Sequence, residues 1–307
     1  MPEKRIAVID CGTNTFNLLI AEKTESGYRF LYRGKRVVKL GSQGIKDGII
    51  GPDPADRALK ALRSYKMLLD RFRVQRTEVV GTAALRDAKN GAVLLRQIKR
   101  ETGFRIRLID GKEEASYIYQ GVKAAVHLQE HISLIMDIGG GSTEFILCNR
   151  NKIFWKRSYR LGAARLLEIL QPGDPIKKTE IRRLNALLKE ELVSLENAWE
   201  RYPPAELIGS SGSFDTFAAI LLKKKQRSLG KKTQYTFDMH AFQQLHRQLM
   251  SATYRERLAI PGMLRMRADM IGLASLLLTF VLRQSKIKTM RLSTYALKEG
   301  LLAEMAP

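Results

Sequence analysis

Short apolar runs alternate with longer helical patterns along the chain, and this alternation indicates an α/β protein. Residues 5–9 predict a strand that ends at Asp10, and a polar turn leads from it into a second strand, as in a hairpin. The same order of apolar run, strand-terminal aspartate (Asp137), glycine-rich turn and apolar run recurs 127 residues later. We therefore interpret the pattern as an internal repeat of domain size.

Other elements follow from β-branched runs and from apolar positions at helical spacing. After the first hairpin, strands are predicted over 28–40, 78–82, 105–109, 133–136, 145–148, 207–213 and 290–293, the sixth of these running into a small-residue loop. Helices are predicted over 54–73, 90–99 (N-capped by Asn90), 113–126, 176–200, 240–251 and 268–284, with a last helix near the C-terminus. A hinge is expected near 124–132.

Length and composition suit two domains, each able to bury its own core. The chain has 307 residues and a formal net charge of +22, and the outer thirds hold nearly all of the excess. Such a charge favours polyanionic partners, and the alternative is a soluble, self-repelling surface with no specific partner. The longest apolar run is too short to cross a membrane. Two isolated cysteines and the lack of a secretory signal indicate a cytoplasmic protein.

Three loops of small residues follow apolar strands and are candidates for phosphate binding. Glycines allow a close backbone approach, and successive amide N–H groups and hydroxyls can then point at an anion. A single loop of this kind is usually only a turn, but two matched copies favour a function. The candidate residues are Gly12, Thr13, Asn14 and Thr15, then Gly139, Gly140, Gly141, Ser142 and Thr143, and finally Ser211, Gly212 and Ser213.

Three carboxylates border the first two loops, and beside a bound phosphate they would be repulsive unless a cation bridges them. Asp10, Asp137 and Glu144 offer the hard oxygen ligands that Mg²⁺ or another divalent cation prefers. The alternative is that each aspartate only caps its own turn.

Two further groups have chemistry that suits the same site. Glu113 and Glu114 begin a predicted helix, where acidic residues favour the N-terminus for electrostatic reasons alone. The alternative is that one of them caps the helix while the other acts as a general base on water. Arg86, just past a strand, suits planar contact with phosphate oxygens, although an ion pair with Asp87 would explain it as well.

At these loops the sequence resembles the exopolyphosphatase / guanosine pentaphosphate phosphohydrolase (Ppx/GppA) family, within the actin–Hsp70–sugar kinase superfamily. Eight segments carry the resemblance in the family's order: DCGTNTFNLLI (10–20), GTAALRDAKN (81–90), DGKEEASYIYQGV (110–122), MDIGGGSTEFIL (136–147), LGAARL (161–166), IGSSGSFDTFA (208–218), RADMIGLASLL (267–277) and STYALKEGLL (293–302).

The resemblance implies two ribonuclease-H-like domains flanking a cleft, with the C-terminal helix returning to the first domain. We expect one domain over 1–126 plus 297–307 and the other over 127–296, as in the short two-domain form of the family. The implied activity is Mg²⁺-dependent removal of a terminal phosphoryl group from inorganic polyphosphate or pppGpp.

Residue by residue, the water-activating glutamate of the family falls on Glu114, and its loop aspartates fall on Asp10 and Asp137. The glutamate that closes the second loop is Glu144, and the phosphate-contacting arginine is Arg86. We add Arg267 as a group that binds the remaining phosphates. This sequence departs from the family pattern with Asn17 in place of an arginine, Thr13 and Thr15 in place of serines, Ser211-Gly212-Ser213 in the third loop and Ala296 and Lys298 near the C-terminus.

Two other functions remain open at this point. One is an ATP-dependent kinase or ATPase of the same superfamily, although residues 207–216 show no clear adenosine pocket. The other is a non-catalytic binder of polyanions. Nucleic acid is disfavoured as a partner, because aromatic residues make up only 7% of the chain and no basic run has a stacking motif. A homodimer is the commonest soluble oligomer, but no patch identifies one.

Overall fold

A computed structural model describes residues 5–25, 27–42, 44 and 47–305. The first sheet has the strand order β3-β2-β1-β4-β5. Its β1, β2 and β3 are antiparallel, while β4 and β5 continue the sheet parallel to β1. These strands are β1 (Arg5–Cys11), β2 (Thr15–Thr24), β3 (Gly27–Val37), β4 (Arg76–Gly81) and β5 (Arg107–Leu108).

The second sheet repeats this arrangement with the order β10-β11-β9-β6-β7-β8. Here β6, β7 and β8 form the antiparallel meander, and β9 and β11 lie parallel to β6. Both sheets therefore have the ribonuclease-H-like order, which confirms the predicted α/β class with two such units. The strands are β6 (Ser133–Ile138), β7 (Thr143–Cys148), β8 (Ile153–Tyr159), β9 (Glu206–Ser210), β10 (Gln234–Thr236) and β11 (Met290–Ser293).

The helices are α1 (Pro52–Arg71), α2 (Ala83–Asp87), α3 (Gly91–Thr102), α4 (Gly111–Ala125), α5 (Ala163–Leu170), α6 (Lys178–Glu191), α7 (Val193–Arg201), α8 (Ser211–Lys224), α9 (Met239–Ser251), α10 (Tyr254–Ala259), α11 (Ile271–Ser285) and α12 (Leu297–Glu304). None of the helices in the described part of the chain is long and apolar enough to cross a membrane.

The two predicted hairpins have the same turn hydrogen bond as well as the same sequence pattern. In the first, Gly12 N donates to Thr15 O at 3.1 Å; in the second, Gly139 N donates to Ser142 O at 3.0 Å. The predicted internal repeat is thus confirmed. Strand pairing sets Asp10 opposite Asn17 and Asp137 opposite Glu144. Asn17 is therefore the counterpart of Glu144 in the first hairpin.

Helices α4 and α12 pack between the two sheets and form a core that both sheets share. Ile6 and Val8 of the first sheet and Ile135 and Ile146 of the second contribute to it. The crossing is tight, because a Cβ added at Gly300 would lie 1.8 Å from the carbonyl oxygen of Tyr117. Separate cores lie on the outer faces. The expectation of one core for each domain therefore missed the central one.

Several element predictions need correction. The predicted helix over 176–200 is two helices, which break at Leu192. The strand expected over 105–109 is only two residues long. The side chain of Asn90 does not cap α3; it pairs with the backbone of Ile50 instead.

The small-residue segment after β9 is not a loop, because Ser211 already begins α8. Strand β8 and the short helices α2 and α5 were not predicted.

The C-terminal helix returns to the first half of the chain, as the resemblance implied, since α12 packs on α4 and β1. The domain boundaries 1–126 plus 297–307 and 127–296 stay a prediction. Within them, residues 1–4, 26, 43, 45–46 and 306–307 lie outside the described residues.

Candidate functional site

The first two small-residue loops face each other and touch. A Cβ added at Gly140 would lie 3.1 Å from Thr13 Cβ and 3.2 Å from Asn14 Cβ. A Cβ at Gly141 would lie only 2.5 Å from Thr13 Oγ1. Glycine is therefore required in the second loop for the backbone to approach the first.

A small cavity of about 80 Å³ lies between these loops and gathers most of the predicted site residues. The predicted residues that line it are Asp10, Gly12, Thr13, Asn14, Thr15, Glu114, Asp137, Gly139, Gly140, Gly141, Ser142, Ser211 and Arg267. The predicted residues outside its lining are Arg86, Thr143, Glu144, Gly212 and Ser213. The convergence brings together groups that are far apart in the sequence, on both sheets.

Four carboxylates approach the cavity from four different elements. Asp10 and Asp137 are the second-last residues of β1 and β6, Glu114 lies in the first turn of α4, and Glu144 lies on β7. Glu114, Asp137 and Glu144 are nearly inaccessible to solvent, at 7%, 4% and 1% exposed. Burial of several like charges in one place is unfavourable unless other groups compensate them.

The compensation within the protein comes from short hydrogen bonds. Asp137 Oδ2 accepts from the hydroxyls of Ser210 at 2.6 Å and Ser211 at 2.9 Å. Glu144 Oε1 accepts from Ser158 Oγ at 2.7 Å, and Asp10 Oδ2 accepts from the amide of Asn17 at 2.9 Å.

These hydrogen bonds do not fully offset the loss of solvation that burial causes. Loss of solvation raises the pKa of Asp10 to about 6 and that of Glu144 to about 7. Burial raises the pKa of Asp137 as well. Burial and the nearby charges of Glu144 and Asp10 raise the pKa of Glu114 well above its usual value. The site thus favours protonation of its carboxyl groups, or a cation among them.

The two glutamates at the start of α4 have separate surroundings. Glu113 is directed outward, where Tyr117 Oη donates to it at 3.1 Å and Arg107 also contacts it. Glu114 is directed into the cavity, with Oε2 3.6 Å from Arg86 Nη1. The cap of α4 is neither of them, since Asp110 accepts from the backbone N–H groups of Lys112 and Glu113. The expectation that one of the pair caps the helix is therefore wrong.

Two buried carboxyl oxygens at the cavity are available to a divalent cation. Asp10 Oδ1 and Glu114 Oε2 are buried and accept no hydrogen bond. Among the described residues, however, no cluster of three or more acidic, histidine or cysteine side chains is close enough to hold a metal alone. Mg²⁺ commonly binds through one or two carboxylates and completes its shell with water and phosphate oxygens. The donor set suits a cation that binds together with a phosphate.

The third predicted segment contributes differently from the first two. Ser211 has a φ of 69° where β9 turns into α8, and its side chain lines the cavity. A Cβ at Gly212 would lie 2.3 Å from Arg267 Nη2, so this glycine makes room for the buried arginine. Ser213 is fully buried. The phosphate-binding assignment of Gly212 and Ser213 has no support in their position.

Thr143 and Arg86 border the site without lining the cavity. The hydroxyl of Thr143 donates to Leu161 O at 2.9 Å, which secures β7. Arg86 Nη1 donates to Ile109 O at 3.0 Å, and Nε lies 3.2 Å from Asp87. Arg86 therefore reaches Glu114 and also makes the ion pair with Asp87 that was its alternative assignment.

Outside Arg86 lies an open groove of about 840 Å³. Its ionisable lining residues are the basic Arg86, Lys112, Lys156, Arg157 and Arg160 and the acidic Asp87 and Asp110. The excess of basic groups gives a long anion a favourable surface next to the site.

Sequence analysis missed two side chains that shape this site. Arg165 on α5 is 4% exposed and donates from Nε to Gly141 O at 2.9 Å. Its signals are the segment LGAARL (161–166) and a basic residue in the mostly apolar run AARLLEIL. Thr82 lines the cavity beside Glu114. Cys11 and Cys148 are buried and free, in line with their predicted packing role.

Two matching hairpins, each with an aspartate beside its turn, face each other between two ribonuclease-H-like sheets and form one shared site. The comparison with family models identifies the family. The chain belongs to the Ppx/GppA phosphatase family, whose model matches residues 19–307. It is a hydrolase that acts on phosphoanhydride bonds.

Solved structures agree with this family. The chain is similar to an exopolyphosphatase from Cytophaga hutchinsonii, with a TM-score of 0.96, 41% sequence identity and coverage of 98% of this chain and 97% of that chain. It is also similar to the PPX-GPPA enzyme of Aquifex aeolicus, with a TM-score of 0.81, 25% identity and coverage of 98% and 99%. The similarity thus extends over nearly the whole chain in both cases.

The raised carboxyl pKa values predict how a divalent cation stabilises the protein. The folded pKa of Glu144 is about 7 against an ordinary 4.5, so the folded state binds more protons between these values and stability falls as pH rises through this window. Mg²⁺ bound at this site would offset the ionised carboxylates. We therefore expect Mg²⁺ to raise the unfolding temperature of chelator-treated protein more at about pH 8 than at about pH 5.5.

Differential scanning fluorimetry measures both shifts. Glu144→Gln removes one buried charge, and we expect it to reduce the difference between the two pH values. An Mg²⁺ effect that is equal at both pH values would contradict the account.

Proposed function

We propose that the protein is an exopolyphosphatase, which removes the terminal phosphoryl group of inorganic polyphosphate with the help of Mg²⁺ or another divalent cation. The observation that carries the proposal is the position of Glu114, buried and directed into a cavity whose walls are two glycine-bent phosphate loops. At about 80 Å³ the cavity is far smaller than the ~300–1,000 Å³ of sites that enclose whole ligands. It therefore suits the end of a chain.

The chain's own residues supply most of what hydrolysis needs. Phosphoryl transfer depends mainly on positioning and on charge stabilisation. Backbone N–H groups of residues 13–15 and 140–142 and the hydroxyls of Thr13, Thr15 and Ser142 hold the terminal phosphoryl group. Glu114 accepts a proton from the attacking water. Arg86, 3.6 Å from Glu114, favours the ionised form of that carboxyl group and binds phosphate oxygens, as Arg267 does from the other side.

Asp10, Asp137 and Glu144 would hold the divalent cation, partly through water. When bound, the cation offsets the negative charge of the phosphate and of the carboxylates. Burial and the neighbouring carboxylates raise the pKa of Glu114, which makes its ionised form a stronger base than an exposed carboxylate. The neighbouring charges thus affect the basicity of Glu114 as well as the binding of the cation.

The position of Asn17 supports polyphosphate over pppGpp as the preferred substrate. The family pattern has an arginine here, whereas the Asn17 amide of this chain bonds to Asp10. The similar protein from Cytophaga hutchinsonii is described as an exopolyphosphatase. The cationic groove outside Arg86 adds a favourable surface for a long polyanion.

Side-by-side turnover on the two substrates tests this preference. We expect a higher kcat/KM for polyphosphate than for pppGpp, and a KM for polyphosphate that rises with salt because the attraction is electrostatic. A clear preference for pppGpp would contradict the substrate assignment and leave the phosphohydrolase assignment intact.

The water-activating role of Glu114 is tested by Glu114→Gln. We expect kcat for phosphate release from polyphosphate to fall by about 10²–10⁴-fold, because the amide cannot accept the proton of water. Binding of the phosphate chain should persist. Colorimetric phosphate release measures turnover, and equilibrium binding of labelled polyphosphate measures the second property.

Glu113→Gln is the matched control, since the neighbouring side chain points away from the cavity and contacts Arg107 and Tyr117. We expect it to keep near-normal turnover. Near-normal turnover of Glu114→Gln would remove that residue from its role. The cytoplasmic location and a homodimer stay predictions.

A further inference from the structure

Asp87, at the end of α2, is a carboxylate outside the catalytic cavity that the mechanism above does not use. Its Oδ1 accepts from Arg86 Nε at 3.2 Å, and its Oδ2 accepts from Arg165 Nη2 at 3.2 Å. Arg160 Nε lies 3.5 Å from Oδ2, but that side chain is mostly exposed. Exposed ion pairs contribute little to stability, so Arg86 and Arg165 are the partners that hold the Asp87 carboxylate in place.

On one side, Asp87 restrains the arginine that serves the general base. Arg86 is held by Asp87 through Nε and by the Ile109 carbonyl through Nη1. These two bonds orient the guanidinium plane, and Nη1 then lies 3.6 Å from Glu114 Oε2. Without the Asp87 carboxylate, Arg86 would keep the Ile109 carbonyl and the longer contact with Glu114 but would lose the bond at Nε.

On the other side, Asp87 restrains the second phosphate loop. Arg165 is buried, and its Nε donates to Gly141 O while its Nη2 donates to Asp87. A buried guanidinium needs a charged partner. Gly141 packs against Thr13 of the first loop, so the position of Arg165 affects how the two loops meet.

The contact also joins the two halves of the molecule. Asp87 follows β4 of the first sheet, and Arg165 follows β8 of the second. One carboxylate therefore connects the base and its arginine in the first half to the loop that holds phosphate in the second. A change of about 1 Å in such a distance is enough to slow a reaction by about 10²-fold.

We propose that Asp87 is a positioning residue for the hydrolysis: it holds Arg86 beside Glu114 and Arg165 against the Gly141 carbonyl, and it thereby fixes the base relative to the second phosphate loop. This inference rests on the proposed function, since it names a further residue on which the same reaction depends.

Steady-state kinetics of Asp87→Asn on polyphosphate tests the proposal. The variant keeps the shape and one acceptor but loses the charge. We expect kcat to fall by about 10–100-fold and KM to change by less than about threefold, because alignment is lost while the phosphate contacts remain. The matched control is Asp56→Asn on α1, which makes the same charge change at a pair with Lys60. It should leave both constants unchanged.

A second measurement separates positioning from stability. In the Glu114→Gln background, we expect Asp87→Asn to lower kcat by no more than about threefold further, because the base that Arg86 serves is already absent. A purely structural role predicts instead that the losses multiply. If Asp87→Asn does not fold, Arg165→Lys carries the same test, since lysine cannot bridge Gly141 and Asp87 with a planar fork.

The outcomes are distinct. If the wild type is active and Asp87→Asn has an unchanged kcat, the positioning role alone is overturned. The same holds if Asp87→Asn differs from the wild type only by a lower unfolding temperature. A wild type that releases no phosphate from polyphosphate overturns the proposed function, and the positioning role falls with it.

Discussion

Several carboxyl groups lose their solvation together in one narrow cleft between the two sheets. Asp10, Glu114, Asp137 and Glu144 are brought together by both sheets and by α4, and burial raises the pKa of each. Such a cluster of buried carboxyl groups destabilises the folded state, so a contribution to stability does not explain it. Under the proposed function, a divalent cation would offset the carboxylate charge that otherwise repels a phosphate, so the two would bind together.

The internal repeat of the fold brings carboxyl groups from both halves of the chain to the cleft. Each half contributes a hairpin whose strand-terminal aspartate lies beside a tight turn, and glycines 140 and 141 let the turns touch. The repeat is not symmetric in its chemistry. Asn17 occupies in the first hairpin the place that Glu144 occupies in the second. One hairpin therefore brings an amide, and the other brings a second carboxylate.

The sequence predicted what depends on local pattern. Asp10 and Asp137 were found because each ends an apolar run before a turn, and Glu114 because the resemblance placed it. Gly212 and Ser213 lie in α8 and outside the cavity lining, because a small-residue run after a strand can equally begin a helix. Arg165 and its partner Asp87 are 78 residues apart, and no local signal joins them. The break at Leu192 was hidden because the apolar spacing continues through it.

Titration calorimetry of orthophosphate with and without Mg²⁺ measures whether cation and phosphate bind to the cavity together. We expect Mg²⁺ to tighten orthophosphate binding by at least about tenfold, and phosphate to tighten Mg²⁺ binding by the same factor, as thermodynamic linkage requires. Equal phosphate affinity in Mg²⁺ and in chelator would contradict this expectation, because the buried carboxylates would then need no cation to admit an anion.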